Sequence, residues 1–378
     1  MNTSYNGSIN STLTTLGKED GIINVDELAM RTILLIIAIL HVLIMVIAIA
    51  GNLLILWITL ANRNLRIPIN LLVCNLPISG LLVAAIRIPI KIYELLHPIQ
   101  ASRHYPFTVS VCKMAQVLPG SCIISISFTL TAICIDRYNS IIHPTKRKLR
   151  ISRTQVYVFL PLCWLFAFSF WTPYGIFVNV HHIQGMKYCL PIWSLNLHLD
   201  IIATNSDNEI VFFLAFSKMI TWLLFLVLIF LTPSIMMTTL YIITARRLWQ
   251  IGTGNARTII LLNRGSIHQR LPRNERRLKV RKRIVKIFIA CLTLFIISNL
   301  PNYLIFMLID FGLIHFLNYY LISSIINTLI LLNYTCVAYN AIIYGYFNNT
   351  YRSNAPQWLR YIGQMHSLRR VRPSLSNS

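Results

Sequence analysis

Charge is scarce in this chain. Only 12% of its 378 residues are Asp, Glu, Lys or Arg, while 56% are hydrophobic. That balance excludes an ordinary soluble domain of this size. Acid is scarcer still, with 11 Asp and Glu against 34 Lys and Arg and a formal net charge of +23. In a soluble protein such a surplus would point to nucleic acid, but here the position of the charges argues otherwise. Nine of the acids, Glu19, Asp20, Asp26, Glu27, Glu94, Asp200, Asp207, Glu209 and Asp310, fall in segments that alternate along the chain with the basic ones. Other absences narrow the chemistry. No nucleophile–base pair, metal cluster or phosphate-cradling glycine loop stands out, which argues against an enzyme and against a cofactor. His181 and His182 are adjacent, an arrangement that rarely shares one metal, and they read as surface histidines. No charged and apolar leader precedes the polar first thirty residues, so no cleavable signal peptide is expected. No cysteine follows Cys336, which excludes a palmitoyl anchor in the tail.

What is present is apolar length. Seven runs, near 32–60, 68–96, 112–142, 154–177, 211–245, 286–311 and 318–346, are each long enough to cross a bilayer, which takes about 20 residues. In lipid every backbone polar group must be satisfied within the segment, so the runs are read as helices. The fold class expected is an all-α membrane protein, a seven-transmembrane-helix bundle with a short amphipathic eighth helix over 348–362. Residues 1–31 form a tail, 32–346 the bundle, and 347–378 the eighth helix and a basic, Ser-rich tail. Lys and Arg crowd the segments that follow the first, third, fifth and seventh runs, with twelve of them against Glu275 alone between Arg246 and Arg283. This places the C-terminus in the cytoplasm and the N-terminus outside a plasma membrane. The outer tail carries three glycosylation sequons, at Asn2, Asn6 and Asn10.

Polar residues inside apolar runs are the informative ones. Asn52 needs partners and is expected to bond to a neighbouring helix backbone. Arg87 lies at mid-span depth with Lys91 and Glu94 on related faces, and is expected either to pair with an acid or to face a water-filled cavity. Pro89 should kink its helix, and Pro119-Gly120 should interrupt the third. The third run closes on Asp136-Arg137-Tyr138 and meets a basic run at once, Lys146-Arg147-Lys148 with Arg150 and Arg153. An Asp-Arg pair at that edge suits a hinged switch, the carboxylate holding the guanidinium until something competes. The basic stretch Arg273 to Arg283 should continue the sixth run as a helix into the cytoplasm. In the eighth segment Tyr351, Trp358 and Leu359 read as apolar anchors on the membrane.

Asp136-Arg137-Tyr138 at the end of the third of seven spans resembles the rhodopsin-like G-protein-coupled receptors. The resemblance extends to Asn70 to Leu76, to Pro233 with Tyr241, to Phe295 to Pro301, and to Asn340-Ala341-Ile342-Ile343-Tyr344. Leu300-Pro301 followed by Asp310-Phe311, with Cys112-Lys113 and Ser125 to Ile135, is similar to the neuropeptide Y / neuropeptide F receptor group. The family carries a disulfide matching Cys112–Cys189; Cys112 sits at the outer end of the third run and Cys189 in the loop after the fourth, while the other six cysteines fall within apolar runs.

The resemblance implies an activation switch made of Asp136, Arg137, Tyr138, Tyr241, Asn299, Pro301, Asn340 and Tyr344. Arg137 would leave Asp136 as the inner half of span six moves about Pro301, and Tyr241 and Tyr344 would receive it. Ligand contacts are assigned to Asp310, Glu94, Arg87, Gln116 and Pro119. The partners implied are a basic amidated peptide outside and a heterotrimeric G protein inside, with arrestin and anionic lipid as further partners and no nucleic acid. Three positions depart from the family: Gly80 replaces the sodium-binding Asp, Asn299 the usual Trp, and Ala341 the usual Pro. They keep a non-signalling decoy open as an alternative, and Arg87 with Lys91 keeps open a small acidic metabolite as ligand. A seven-helix transporter fits less well, because no internal repeat is visible. A retinal-binding opsin would need a lysine in 318–346, and there is none.

Overall fold

The computed structural model describes residues 25–97, 106–183, 186–191, 220–262, 271–310, 319–343, 351, 353 and 354. The chain winds through seven helices long and apolar enough to cross a membrane. Helix α1 runs Val25–Ala61, α2 Pro68–Leu96, α3 Val109–Ile142 and α4 Arg153–Phe177. Helix α5 crosses as Ile220–Gln250 and continues to Leu262, α6 runs Leu271–Asp310, and α7 Tyr319–Ile342. The expected all-α bundle of seven spans is therefore what the chain forms. Of the eighth segment only residues 351, 353 and 354 are described, so Trp358 and Leu359 lie outside the described residues.

Local signals set several ends. Thr108 caps α3, its hydroxyl accepting from the Val111 amide. Ser152 and Gln155 form a reciprocal capping box at the start of α4, satisfying two amides that a helix N-terminus leaves bare. Helix α1 starts ahead of the expected residue 32, with Asp26 and Glu27 in its first turn, where acids favour the helix dipole. Helices α2 and α5 each hold a widened turn just before a proline, Val83–Arg87 before Pro89 and Phe225–Leu231 before Pro233. Proline has no amide to give, and an extra residue in the preceding turn lets the helix pass it.

Helix α3 is the centre of the bundle. In its most apolar stretch 78% of residues are buried, against 22% in α4. It packs on α2, α4 and α5, while α1 lies against α7 and α2, and α6 between α5 and α7. The expected interruption at Pro119-Gly120 does not occur, since α3 runs through both as one helix. One proline removes one backbone bond, and the neighbours on either side hold the rest. Gly120 serves a different need. A Cβ there would come within 2.4 Å of the Trp171 ring, so the glycine is the floor on which that indole packs. Trp171 continues into Phe225 at 5.4 Å, and Phe225 into Tyr303 at 4.7 Å, joining α4, α5 and α6 with aromatic surface.

Polar side chains stitch the helices, each interhelical bond contributing about 0.6 and at most about 1.7 kcal/mol. Asn75 on α2 donates to Ser125 at 2.7 Å and Thr129 at 2.8 Å on α3, and accepts from Trp164 on α4 at 2.8 Å. Ser127 reaches the Ile229 carbonyl on α5 at 2.9 Å. Asn52 on α1 donates to the Val337 carbonyl on α7 at 2.9 Å, the backbone partner expected for it. Tyr351 departs from its expected place on the membrane. It is 1% exposed, and its hydroxyl accepts from Thr59 on α1 at 3.2 Å. A phenol with a buried hydroxyl partner is more stable inside than at a lipid surface, and burial raises its pKa to about 12, so it stays neutral.

Candidate functional site

At one end of the bundle the chain leaves α4 into an antiparallel hairpin, β1 Val178–Ile183 and β2 Met186–Pro191. Nothing in the alternation of a long loop had suggested these strands. Cys189, opposite Val180 in the ladder, is bonded to Cys112 at the start of α3, with Cα atoms 5.8 Å apart. The disulfide expected from the two outer cysteines is present, and it pins the hairpin over α3. The other six cysteines are free and buried.

The second half of α2 brings together the three charged residues singled out in it. Arg87 Nη1 lies 3.1 Å and Nη2 3.4 Å from the two Glu94 oxygens, and Lys91 Nζ lies 3.5 Å from Glu94 Oε2. Residues seven apart lie two turns apart on the same face of a helix, within reach of these long side chains. Of the two expectations for Arg87, pairing with an acid is the one observed. Glu94 was assigned as a ligand contact; both its oxygens are here engaged by cations of its own helix. Gln116 and Pro119 on α3 are half-buried. Asp310 ends α6, and its side chain lies outside the described residues.

In the middle of the bundle α6 and α7 are joined by amides. Asn299 is fully buried, donates to the Phe295 carbonyl at 2.7 Å and to Ser298 at 2.9 Å, and accepts from Asn333 at 2.8 Å. Ser298 also meets the Tyr339 hydroxyl at 3.4 Å. Pro301 sits within α6 just beyond, and Asn340 is buried on α7. Sequence reasoning singled out Asn299 but missed Asn333, whose signal was a second buried amide on the adjoining apolar span. Gly80 faces Asn52: a Cβ at that position would lie 2.6 Å from Asn52 Nδ2. The space of the missing side chain is filled by an amide from α1.

At the opposite end the expected Asp136–Arg137 ion pair is not formed. Asp136 is buried and accepts from the Ile151 amide at 3.0 Å, and among the described residues it makes no salt bridge. Arg137 Nε is buried without a hydrogen-bond partner among the described residues. A backbone amide at the turn into α4 competes successfully for the carboxylate, since that bond fixes a loop and needs no desolvation of a guanidinium. Tyr138 lies edge-on to His143 at 6.2 Å, and Tyr241 on α5 is buried close by. Tyr344 lies outside the described residues. Lys282 on α6 sits 5.6 Å over the Trp249 ring on α5, a contact between adjoining helices that sequence reasoning did not anticipate. The glycosylation sequons Asn2, Asn6 and Asn10 and the pair His181-His182 lie outside the described side chains.

The model of the family described as 7 transmembrane receptor (rhodopsin family) matches residues 51–344. Among curated proteins, the chain is similar to the neuropeptide FF receptor 1 of Rattus norvegicus, 27% identical over 319 residues that cover 82% of this chain and 67% of that protein. It is 28% identical over 274 residues to the tachykinin-like peptides receptor 86C of Drosophila melanogaster, covering 71% of this chain and 48% of that one. With the neuropeptide FF receptor 2 of Mus musculus it shares 27% identity over 325 residues, 83% of this chain and 70% of the other.

Proposed function

Because this chain belongs to the rhodopsin family of seven-transmembrane receptors, a multi-pass signalling family and not one of enzymes, we propose that it binds a peptide outside the cell and passes the signal to a heterotrimeric G protein. Receptors named for neuropeptide FF and tachykinin-like peptides among its relatives support a peptide ligand. The neuropeptide Y / neuropeptide F likeness read from spans three and six falls within the same coarse class of peptide receptors.

The observation that carries this reading is the continuity of α6. One 40-residue helix, Leu271–Asp310, holds an acid at its outer end, Asn299 and Pro301 in the middle and the basic stretch Arg273 to Arg283 at its inner end. A ligand that draws on one end displaces the other, and the proline is the point about which it bends. An agonist binds the outer side better in one helix arrangement than in the other, and the population shifts accordingly. Tyr241 and Tyr344 receive Arg137 in the arrangement that opens the inner cleft. Arrestin and anionic lipid engage the basic inner end of α6 and the tail. The N-terminus faces outward at the plasma membrane, glycosylated at Asn2, Asn6 and Asn10; glycosidase treatment of intact cells shifting the mobility of the chain tests this.

The ligand reading is tested by screening amidated peptides against cells that express the full chain, with G-protein dissociation as readout. Peptides ending in an Arg-aromatic-amide sequence should release the G protein. Release by small carboxylates and by none of the peptides would replace the peptide reading with the acidic-metabolite one.

A further inference from the structure

The turn from α3 into α4 concentrates charge of one sign. Five of the eight residues from Lys146 to Arg153 are Lys or Arg, and no acid occurs between Asp136 and Asp200. All five cations are exposed. Arg150 gives one nitrogen to the Pro144 carbonyl at 3.5 Å, and Arg153 one to the Arg66 carbonyl at 3.1 Å. Asp136 is buried and committed to the Ile151 amide. One serine lies inside this run. Ser152 is exposed, and the backbone that leads to it is extended, with φ −84° and ψ 145° at Arg150 and φ −91° and ψ 164° at Ser152. Residues two apart on an extended chain share a face, so Arg150 and Ser152 are presented together. The neighbouring hydroxyls are placed differently: Thr145 sits in the tight turn ahead of the run, and Thr154 within α4.

We propose that Ser152 is a phosphorylation site for a serine kinase whose substrate groove is lined with carboxylates. Such a kinase selects its serine by the pattern of cations around it, here Arg147, Lys148 and Arg150 before and Arg153 after. In the step the γ-phosphoryl group of ATP passes to Ser152 Oγ. The Oγ–P bond forms, the bond to the bridging oxygen of ADP breaks, and the hydroxyl proton goes to the kinase's catalytic carboxylate. The product suits the turn. Ser152 Oγ now accepts from the Gln155 amide at 3.2 Å while Gln155 Oε1 accepts from the Ser152 amide at 2.8 Å. A phosphate oxygen serves that same amide, sits at a helix start that favours negative charge, and offers the cations of the run a partner. Phosphorylation therefore orders residues 150–155 rather than melting them. The inference rests on this end of the bundle facing the cytoplasm, where ATP is. Its test uses the purified chain and reads the turn alone, so it fails or succeeds independently of topology and of G-protein coupling.

The purified full chain is incubated with ATP and the catalytic domain of protein kinase C, which favours basic residues around its serine, and mass spectrometry locates the phosphate. Ser152 should be labelled in the folded chain, about fivefold faster or more than in Arg150→Gln, which removes one cation from the recognised pattern and leaves the exposed serine in place. Ser152→Ala should lose this label and no other. In the phosphorylated chain, amide exchange over residues 150–155 should slow by about threefold or more. Labelling of Ser152 only after heat unfolding would overturn the proposal, because the folded turn would then not be the substrate. So would label confined to other hydroxyls, an unchanged rate in Arg150→Gln, or exchange that does not slow.

Discussion

Asn333 on α7 donates a 2.8 Å hydrogen bond to Asn299 on α6, two positions before Pro301. Asn299 in turn spends its own amide on the Phe295 carbonyl and Ser298. The place that resembles an aromatic toggle is thus a polar clasp, and opening it leaves a buried carbonyl oxygen bare. Asn333→Leu should destabilise the closed bundle by about 1–2 kcal/mol and raise ligand-independent G-protein release. Thermal unfolding and basal release, compared at matched surface expression, check both halves. Wild-type values for each would show that the clasp does not hold the inner half of α6.

Asp136 bonds to a backbone amide rather than to Arg137, so the carboxylate's oxygen matters there more than its charge. Asp136→Asn keeps an acceptor for Ile151 and should change basal release little. Asp136→Ala leaves that amide unpaired, at about 1–3 kcal/mol, and should loosen the turn into α4, seen as faster proteolysis between residues 143 and 151. Equal increases in basal signalling from both variants would mean that charge, and hence an ion pair with Arg137, is what counts. With Arg137 not held by Asp136, wild-type basal release should exceed that of vector-only cells.

Gly80 stands where relatives place a sodium-binding carboxylate, and Asn52 fills the space its side chain would need. An amide offers a cation no charge, and midplane sodium has little else to bind it. Agonist affinity should be the same when sodium is exchanged for an organic cation at constant ionic strength. Gly80→Ala should lower the melting temperature, because Asn52 must shift and its bond to the Val337 carbonyl is strained or lost. A sodium-specific change in affinity would reject the first statement, and a neutral Gly80→Ala the second.

Much of the bundle was legible because lipid leaves so few options. Apolar runs had to be helices, and the pairing of Cys112 at the end of the third run with Cys189 in the loop after the fourth was expected and is present. What escaped notice depended on contacts between distant segments. Pro119 is carried within a helix held by its neighbours, Tyr351 turns inward to a hydroxyl on α1, and Asp136 chooses a loop amide fifteen residues on. The hairpin at Cys189 was hidden because its short strands carry no strict apolar–polar alternation. Arg87 was recognised as anomalous with Glu94 on a related face, but whether it would pair with that acid or face a cavity depended on side-chain conformation, which the sequence does not specify.

Asp310 closes α6 at its outer end, where an acid opposes the helix dipole by about 0.3–1 kcal/mol. A residue placed against that preference is a candidate for a role elsewhere, and a ligand arginine supplies the charge the helix does not. Glu94, occupied by Arg87 and Lys91, does not compete for that arginine. Asp200, Asp207 and Glu209, in the segment between the fourth and fifth runs, would raise the local concentration of a basic peptide and speed its arrival. Asp310→Ala should therefore cost a peptide agonist about 2–5 kcal/mol if the pair is desolvated. Replacing the peptide's arginine should cost little further in that variant, since the partner is already gone. The double-mutant cycle on binding affinity is the deciding measurement. If the two losses simply add, Asp310 and the arginine do not meet, and the likeness to receptors of amidated peptides loses its main support at the outer end of α6.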